Sequence, residues 1–99
     1  MDSNGYNASL LDTHEGTCYL THRQGETVRH EIFFGVGNRK LSKEYGCWCY
    51  LHPETHADLH AGKGDYDDYL KHLCYRKFCE KYGRQYFYEL FRRYYDDQD

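Results

Sequence analysis

The chain has one proline, one methionine, one tryptophan and only twelve valine, isoleucine and leucine residues. So thin an aliphatic complement excludes a core built mainly from branched side chains. No apolar run approaches the roughly 20 residues that a membrane helix needs, and the start lacks the basic residues and apolar stretch of a signal peptide. Membrane and secreted readings fall away, and the cytosol is the expected location. Internal repeats, low-complexity tracts, glycine-rich dinucleotide or P-loop fingerprints and a serine nucleophile elbow are all missing. The cysteine count of five is odd, which fits reduced thiols better than a disulfide scaffold.

What is present points elsewhere. Ninety-nine residues suit one domain, since two cores would each be too small to offset chain entropy. Twelve tyrosines, five phenylalanines and the tryptophan must supply the packing area, and each buried tyrosine hydroxyl will need a partner. Seven histidines beside five cysteines make a bound metal the natural staple for such a core. The net charge of -3 conceals segregation. Basic segments 22–43 and 69–95 alternate with acidic segments 1–21, 54–68 and 96–99. Adjacent in space, the two basic segments would neutralise phosphates; apart, they belong to an ordinary mixed surface.

Residues 1–12 read as a flexible arm, 13–95 as the domain and 96–99 as an acidic tail. Cys18–His22 and Val28–Phe33 look like short strands around a turn at Arg23–Glu26, which predicts a hairpin. Phe34–Lys40, with Gly35 and Gly37, predicts a flexible loop, Leu41–Tyr45 a helical turn and Cys47–Leu51 a third strand. Pro53 suits a first helical turn and predicts a helix to about Ala61. Apolar residues from Tyr66 to Tyr82 and from Tyr86 to Tyr94 follow helical spacing, and Gly83 separates two helices. At that spacing the tyrosines are expected in the core rather than stacked on bases.

The sharpest chemical signal is His56-Ala-Asp-Leu-His60. Residues four apart share one helix face, so two imidazoles there can chelate one ion. They can equally be surface histidines. His30, on a strand that the helix could cross, would make a third ligand and leave positions open for water and phosphate.

The run Cys18-Tyr-Leu-Thr-His-Arg23, then Arg29-His-Glu-Ile-Phe-Phe-Gly35, Asn38-Arg-Lys-Leu-Ser42, Glu44-Tyr-Gly46, Tyr50-Leu-His-Pro-Glu54 with His56, and Tyr82-Gly83 resembles the small HNH-type ββα-metal nucleases of phages and prophages. The resemblance spans residues 18 to about 95. The family pattern is a hairpin ending in His-His, an Asn-Arg-Lys loop, a strand leading into Cys-Pro-x-x-His and a helix with a further histidine.

It implies an α+β fold in which a β-hairpin and a helix clasp a divalent metal, with additional helices C-terminal to them. His30, His56 and His60 would be the ligands. An imidazole-rich set suits zinc, manganese or nickel, whereas magnesium prefers oxygen. His30, Glu31 and Asn38 would serve catalysis, and Arg29, Arg39, Lys40 and Lys43 would hold DNA. The implied reaction is hydrolysis or nicking of DNA phosphodiesters.

The chain departs from the pattern twice. Glu31 stands where many relatives have the second histidine, expected as general base, and a carboxylate is intrinsically the weaker base. Relatives often carry two cysteine pairs around a structural zinc; here the places hold Cys18 with Thr21 and His52 with Thr55, leaving Cys18 and His52 as a reduced structural-metal set. Cys47 and Cys49 share a strand face, either as packing thiols or as replacement ligands. These departures, with the acidic segments, support a second reading: a binding protein on a nuclease scaffold that has lost turnover, such as a phage inhibitor of a host defence nuclease.

Overall fold

In the computed structural model, which describes residues 1–96, the regular elements are β1 (Val28–Glu31), α1 (Asn38–Glu44), β2 (Trp48–Leu51), α2 (Pro53–His60), α3 (Tyr66–Tyr82) and α4 (Arg84–Phe91). The molecule is an α+β domain with a two-stranded antiparallel sheet and four helices. No described helix is long and apolar enough to cross a membrane.

The strands pair with Val28 opposite Leu51, Arg29 opposite Tyr50, His30 opposite Cys49 and Glu31 opposite Trp48. Because side chains alternate along a strand, His30, Cys49 and Leu51 face one way, and all three are buried. Arg29, Glu31, Trp48 and Tyr50 face the other. The hairpin expected between Cys18–His22 and Val28–Phe33 is not formed. Cys18–His22 instead closes a tight turn, with the Cys18 N–H donating to the Arg23 carbonyl and the His22 N–H to that of Cys18. His22 takes a left-handed φ of 63° there, which an extended strand does not contain. The strand expected third in order, Cys47–Leu51, is the actual partner of β1.

The loop expected over Phe34–Lys40 is shorter than its sequence suggests. Gly35 and Gly37 turn the chain with positive φ, after which Asn38, Arg39 and Lys40 form the first turn of α1. Ser42 ties α1 to the end of β1: its hydroxyl donates to the Phe33 carbonyl at 2.6 Å and accepts from the Phe33 N–H at 3.1 Å.

Residues 2–11 are not a free arm. The Asp2 carboxylate accepts from the N–H groups of Asn4 and Tyr6, which shapes a local turn. The segment then lies over the second face of the sheet. Tyr6 packs edge-on against Trp48 at 5.3 Å between centroids, the Trp48 indole donates to the Asn7 carbonyl at 2.8 Å, and Ser9 donates to the Trp48 carbonyl. The Leu10 N–H reaches the Gly46 carbonyl, and Leu11 is buried. A two-stranded ribbon cannot stand alone in water; here one face is covered by helices and the other by this segment.

The helices follow the sequence closely except at the end, where α4 stops at Phe91 and Arg92 takes a left-handed φ of 62°, short of the helical spacing read through to Tyr94. His52 caps α2, its Nδ1 accepting from the Glu54 N–H at 3.1 Å, and Pro53 occupies the first turn. Gly83, with φ 93°, separates α3 from α4. Aromatic rings fill the core as composition demands: Phe33 meets Phe87 and Phe91 at 5.1 and 4.9 Å. Several half-buried hydroxyls find partners, with those of Tyr45 and Tyr86 2.6 Å apart and Tyr75 donating to Asp96. Asp96 also clasps Arg84, so the first residue of the expected acidic tail is an ion-pair partner; Asp97–Asp99 lie outside the described residues.

Candidate metal centre

Only His52 and the helix-starting Pro53 turn separate β2 from the body of α2, so the helix folds back against β1. This brings His56 and His60, one helical turn apart, over His30. Each of the three residues offers a ligand atom, and these atoms all lie within 4.8 Å of one another. The ring centroids are 5.1 Å apart for His30 and His56, 5.4 Å for His30 and His60, and 4.7 Å for His56 and His60. Among the described residues this is the one group of three or more histidine, cysteine or acidic side chains so assembled.

Two observations test whether the set fits an ion. Nε2 of His30 is buried without a hydrogen-bond partner, and an orphaned buried polar atom is costly unless something else satisfies it. The Nε2 atoms of His56 and His60 stand 3.1 Å apart, near the roughly 3.4 Å between two nitrogens on one tetrahedral ion with bonds of about 2.1 Å. The residues fit.

The environment of His30 and His56 favours their neutral forms. Burial, then the nearby His56 and His60, pushes His30 down to about 3. Burial and His60 also lower His56, with Glu31 acting in the opposite sense. Neutral imidazole is the form that binds metal. Phe34 walls one side, 5.2 Å from His60 and 6.0 Å from His30 between ring centroids.

Glu31 points away from His30, as strand alternation requires, and its side chain is only 14% exposed. Tyr6 donates to its Oε2 at 3.0 Å, and Nη1 of Arg39 lies 3.7 Å from its Oε1. Asn38 is a clip: its side-chain amide donates to the Phe34 carbonyl at 3.3 Å and its N–H to that of Gly35, closing the turn beside the histidines. Arg39, Lys40 and Lys43 line a hollow of about 550 Å³ with Glu31 and Glu44.

Arg29 has a different role from the one expected. It lies over the rings of Tyr6 and Trp48 at 4.3 and 5.0 Å, pairs with Asp2 at 2.7 Å and donates to the Tyr50 hydroxyl. The guanidinium is committed to the packing of the N-terminal segment and is withdrawn from phosphate.

The reduced structural-metal set does not assemble. The His52 Nδ1 is spent on the helix cap, and it is the backbone N–H of His52 that approaches the buried Cys18 thiol. Burial works to raise that thiol, but hydrogen bonds from the Thr21 hydroxyl and from the N–H groups of His52, Thr21 and Leu20 outweigh it and bring it to about 7. Nor do Cys47 and Cys49 replace the missing ligands: the free thiols of Cys74 and Cys47 share a hydrogen bond, burial raises Cys49, and all of these thiols are fully buried.

Sequence reasoning missed Tyr6, Phe34 and Lys71. Nζ of Lys71 sits 4.3 Å over the Phe34 ring, and its charge contributes to the lowering of His30. None of the three belongs to a ligand or phosphate pattern. Phe34 follows the strand bearing His30, the one local hint. Comparison with protein-family models, curated proteins and solved structures finds no match to this chain.

Proposed function

We propose that the chain is a metal-dependent endonuclease of the HNH type, hydrolysing or nicking DNA phosphodiesters in a phage or prophage setting. The observation that carries the reading is the convergence of three imidazoles, one from β1 and two from α2, on a common point; the antiparallel pair β1 and β2, joined through the short α1 and followed by α2, supports comparison with a ββα-metal element. His30, His56 and His60 would hold the ion, and the all-nitrogen set favours zinc, manganese or nickel over magnesium. When bound, such an ion supplies Lewis-acid polarisation of the phosphate and stabilisation of the leaving oxygen.

The chain's own groups do the rest. Arg39, whose charge reaches His30 and His56, attracts the phosphate backbone beside the histidines, and Lys40 and Lys43 extend the basic hollow next to it. Asn38 fixes the turn that carries them. Glu31 or a nearby histidine takes the proton from the attacking water; Glu31 faces away from His30, and its charge acting on His56 is what keeps it a candidate, with its carboxylate held by the Tyr6 hydroxyl. Phe34 excludes water from one side of the imidazoles.

A second reading is favoured by one specific feature: both oxygens of Glu31 are already engaged, by Tyr6 and Arg39. On that reading the scaffold binds a partner, such as a host defence nuclease, without turnover. Elemental analysis and nicking of supercoiled plasmid with magnesium, manganese, zinc or nickel separate the two. The endonuclease reading expects bound metal and ion-dependent nicking that His30→Ala lowers by more than about 100-fold. Metal-free protein that cleaves with none of these ions overturns it.

A further inference from the structure

Two acidic stretches of the chain meet at a cleft that the histidine centre does not use. Residues 1–21 contain Asp2, Asp12 and Glu15 and no lysine or arginine, and residues 54–68 contain five carboxylates against one lysine. Between the turns of residues 12–22 and the start of α3 lies a cleft of about 740 Å³ whose walls include Tyr19, Tyr66, Tyr69, Asp12 and Asp65.

These three tyrosines are unlike others in the molecule. Tyr6, Tyr94 and Tyr95 lie under Arg29, Arg84 and Arg93 respectively. Tyr19, Tyr66 and Tyr69 have neither a cation nor a ring partner nor a hydroxyl hydrogen bond among the described residues. Tyr69 is 54% exposed. Asp65 sits at the N-cap of α3 but its side chain makes no capping bond, and it has no ion-pair partner among the described residues. Asp12 is within 3.0 Å of His14, an exposed histidine that balances it only when protonated. Burial, with Tyr69 and Asp12 among the contributing neighbours, raises the Tyr19 hydroxyl, consistent with polar ends gathered in one place.

Electron-rich ring faces flanked by an uncompensated carboxylate attract a cation with an apolar stem. An anion is repelled, and a neutral apolar group would strip water from Asp65 without replacing it. The volume exceeds one side chain and admits a short stretch of backbone as well, and tyrosine is a preferred anchor at protein interfaces. We infer that this cleft is a docking site for a basic segment of a protein partner, with a lysine or arginine side chain inserted among Tyr19, Tyr66 and Tyr69. The inference is independent of the endonuclease reading.

Titration of the full chain with N-acetyl-arginine amide, followed by nuclear magnetic resonance, tests it. Saturable shifts are expected in the three tyrosine rings and in the amides of residues 12–22 and 65–69. The neutral isostere N-acetyl-citrulline amide should give none. Asp65→Asn, at an exposed position, should weaken binding at least fivefold, and Tyr69→Ala should do the same with an otherwise unchanged spectrum. Equal binding of the citrulline compound, shifts spread evenly over all acidic residues, or undiminished affinity in both variants overturns the site.

Discussion

A single buried hydroxyl serves both backbone groups of Phe33, and this makes Ser42 a sensitive position. Replacing it with alanine leaves the Phe33 N–H and carbonyl buried with no partner from α1. The expected cost of Ser42→Ala is about 2 kcal/mol, measured as a lower urea midpoint at unchanged slope. Tyr6 offers a second test at this scale. Tyr6→Phe keeps the ring against Trp48 and Arg29 but removes the hydroxyl from Glu31. If Glu31 takes the proton in cleavage, nicking should fall by roughly tenfold, a loss of ~1.4 kcal/mol, with metal content unchanged. Nicking at the wild-type rate would exclude Tyr6 as a positioning residue.

At the level of elements, the N-terminal segment and the sheet depend on each other through Gly46. This glycine has φ 75°, and a Cβ there would strike the Ala8 carbonyl oxygen. Gly46→Ala is therefore expected to cost at least about 2 kcal/mol and to loosen residues 2–11. Trp48, the sole tryptophan, lies beneath that segment and should report the loosening as a red shift of its emission. The helices were legible in the sequence because Pro53, Gly83 and the apolar spacing act locally. The pairing of His56 with His60 was legible for the same reason, and His30 became a candidate through its place on a strand. The sheet was not legible. Cys18–His22 alternates like a strand, yet its backbone closes a turn, while the true partner of β1 lies beyond α1. The N-terminal segment carries no periodic signal at all; it is held by an aspartate turn, backbone carbonyls and an indole N–H, which composition cannot reveal.

Across the whole molecule, the C-terminal helical pair is closed by Asp96, which reaches Arg84 and Tyr75. The Arg84 guanidinium, then the Tyr75 hydroxyl, lowers the Asp96 carboxyl from 3.8 to about 2. A carboxyl depressed by folding adds stability that is complete above its unfolded value and fades as pH falls through its folded one. Melting temperatures of Asp96→Asn should thus lie below wild type at pH 6 and converge with it as pH drops from about 3.8 toward 2. A constant difference over that range would show that the ion pair is not the cause.

The covering of the sheet by residues 2–11 also sets an order of assembly. Asn7 precedes its partner Trp48 by 41 positions, so on a translating ribosome it waits roughly 2–8 s for that partner to be made. Until β2 has emerged, Leu10 and Leu11 have no ribbon to lie on, and the nascent first half of the chain must be kept from sticking to its neighbours by other means.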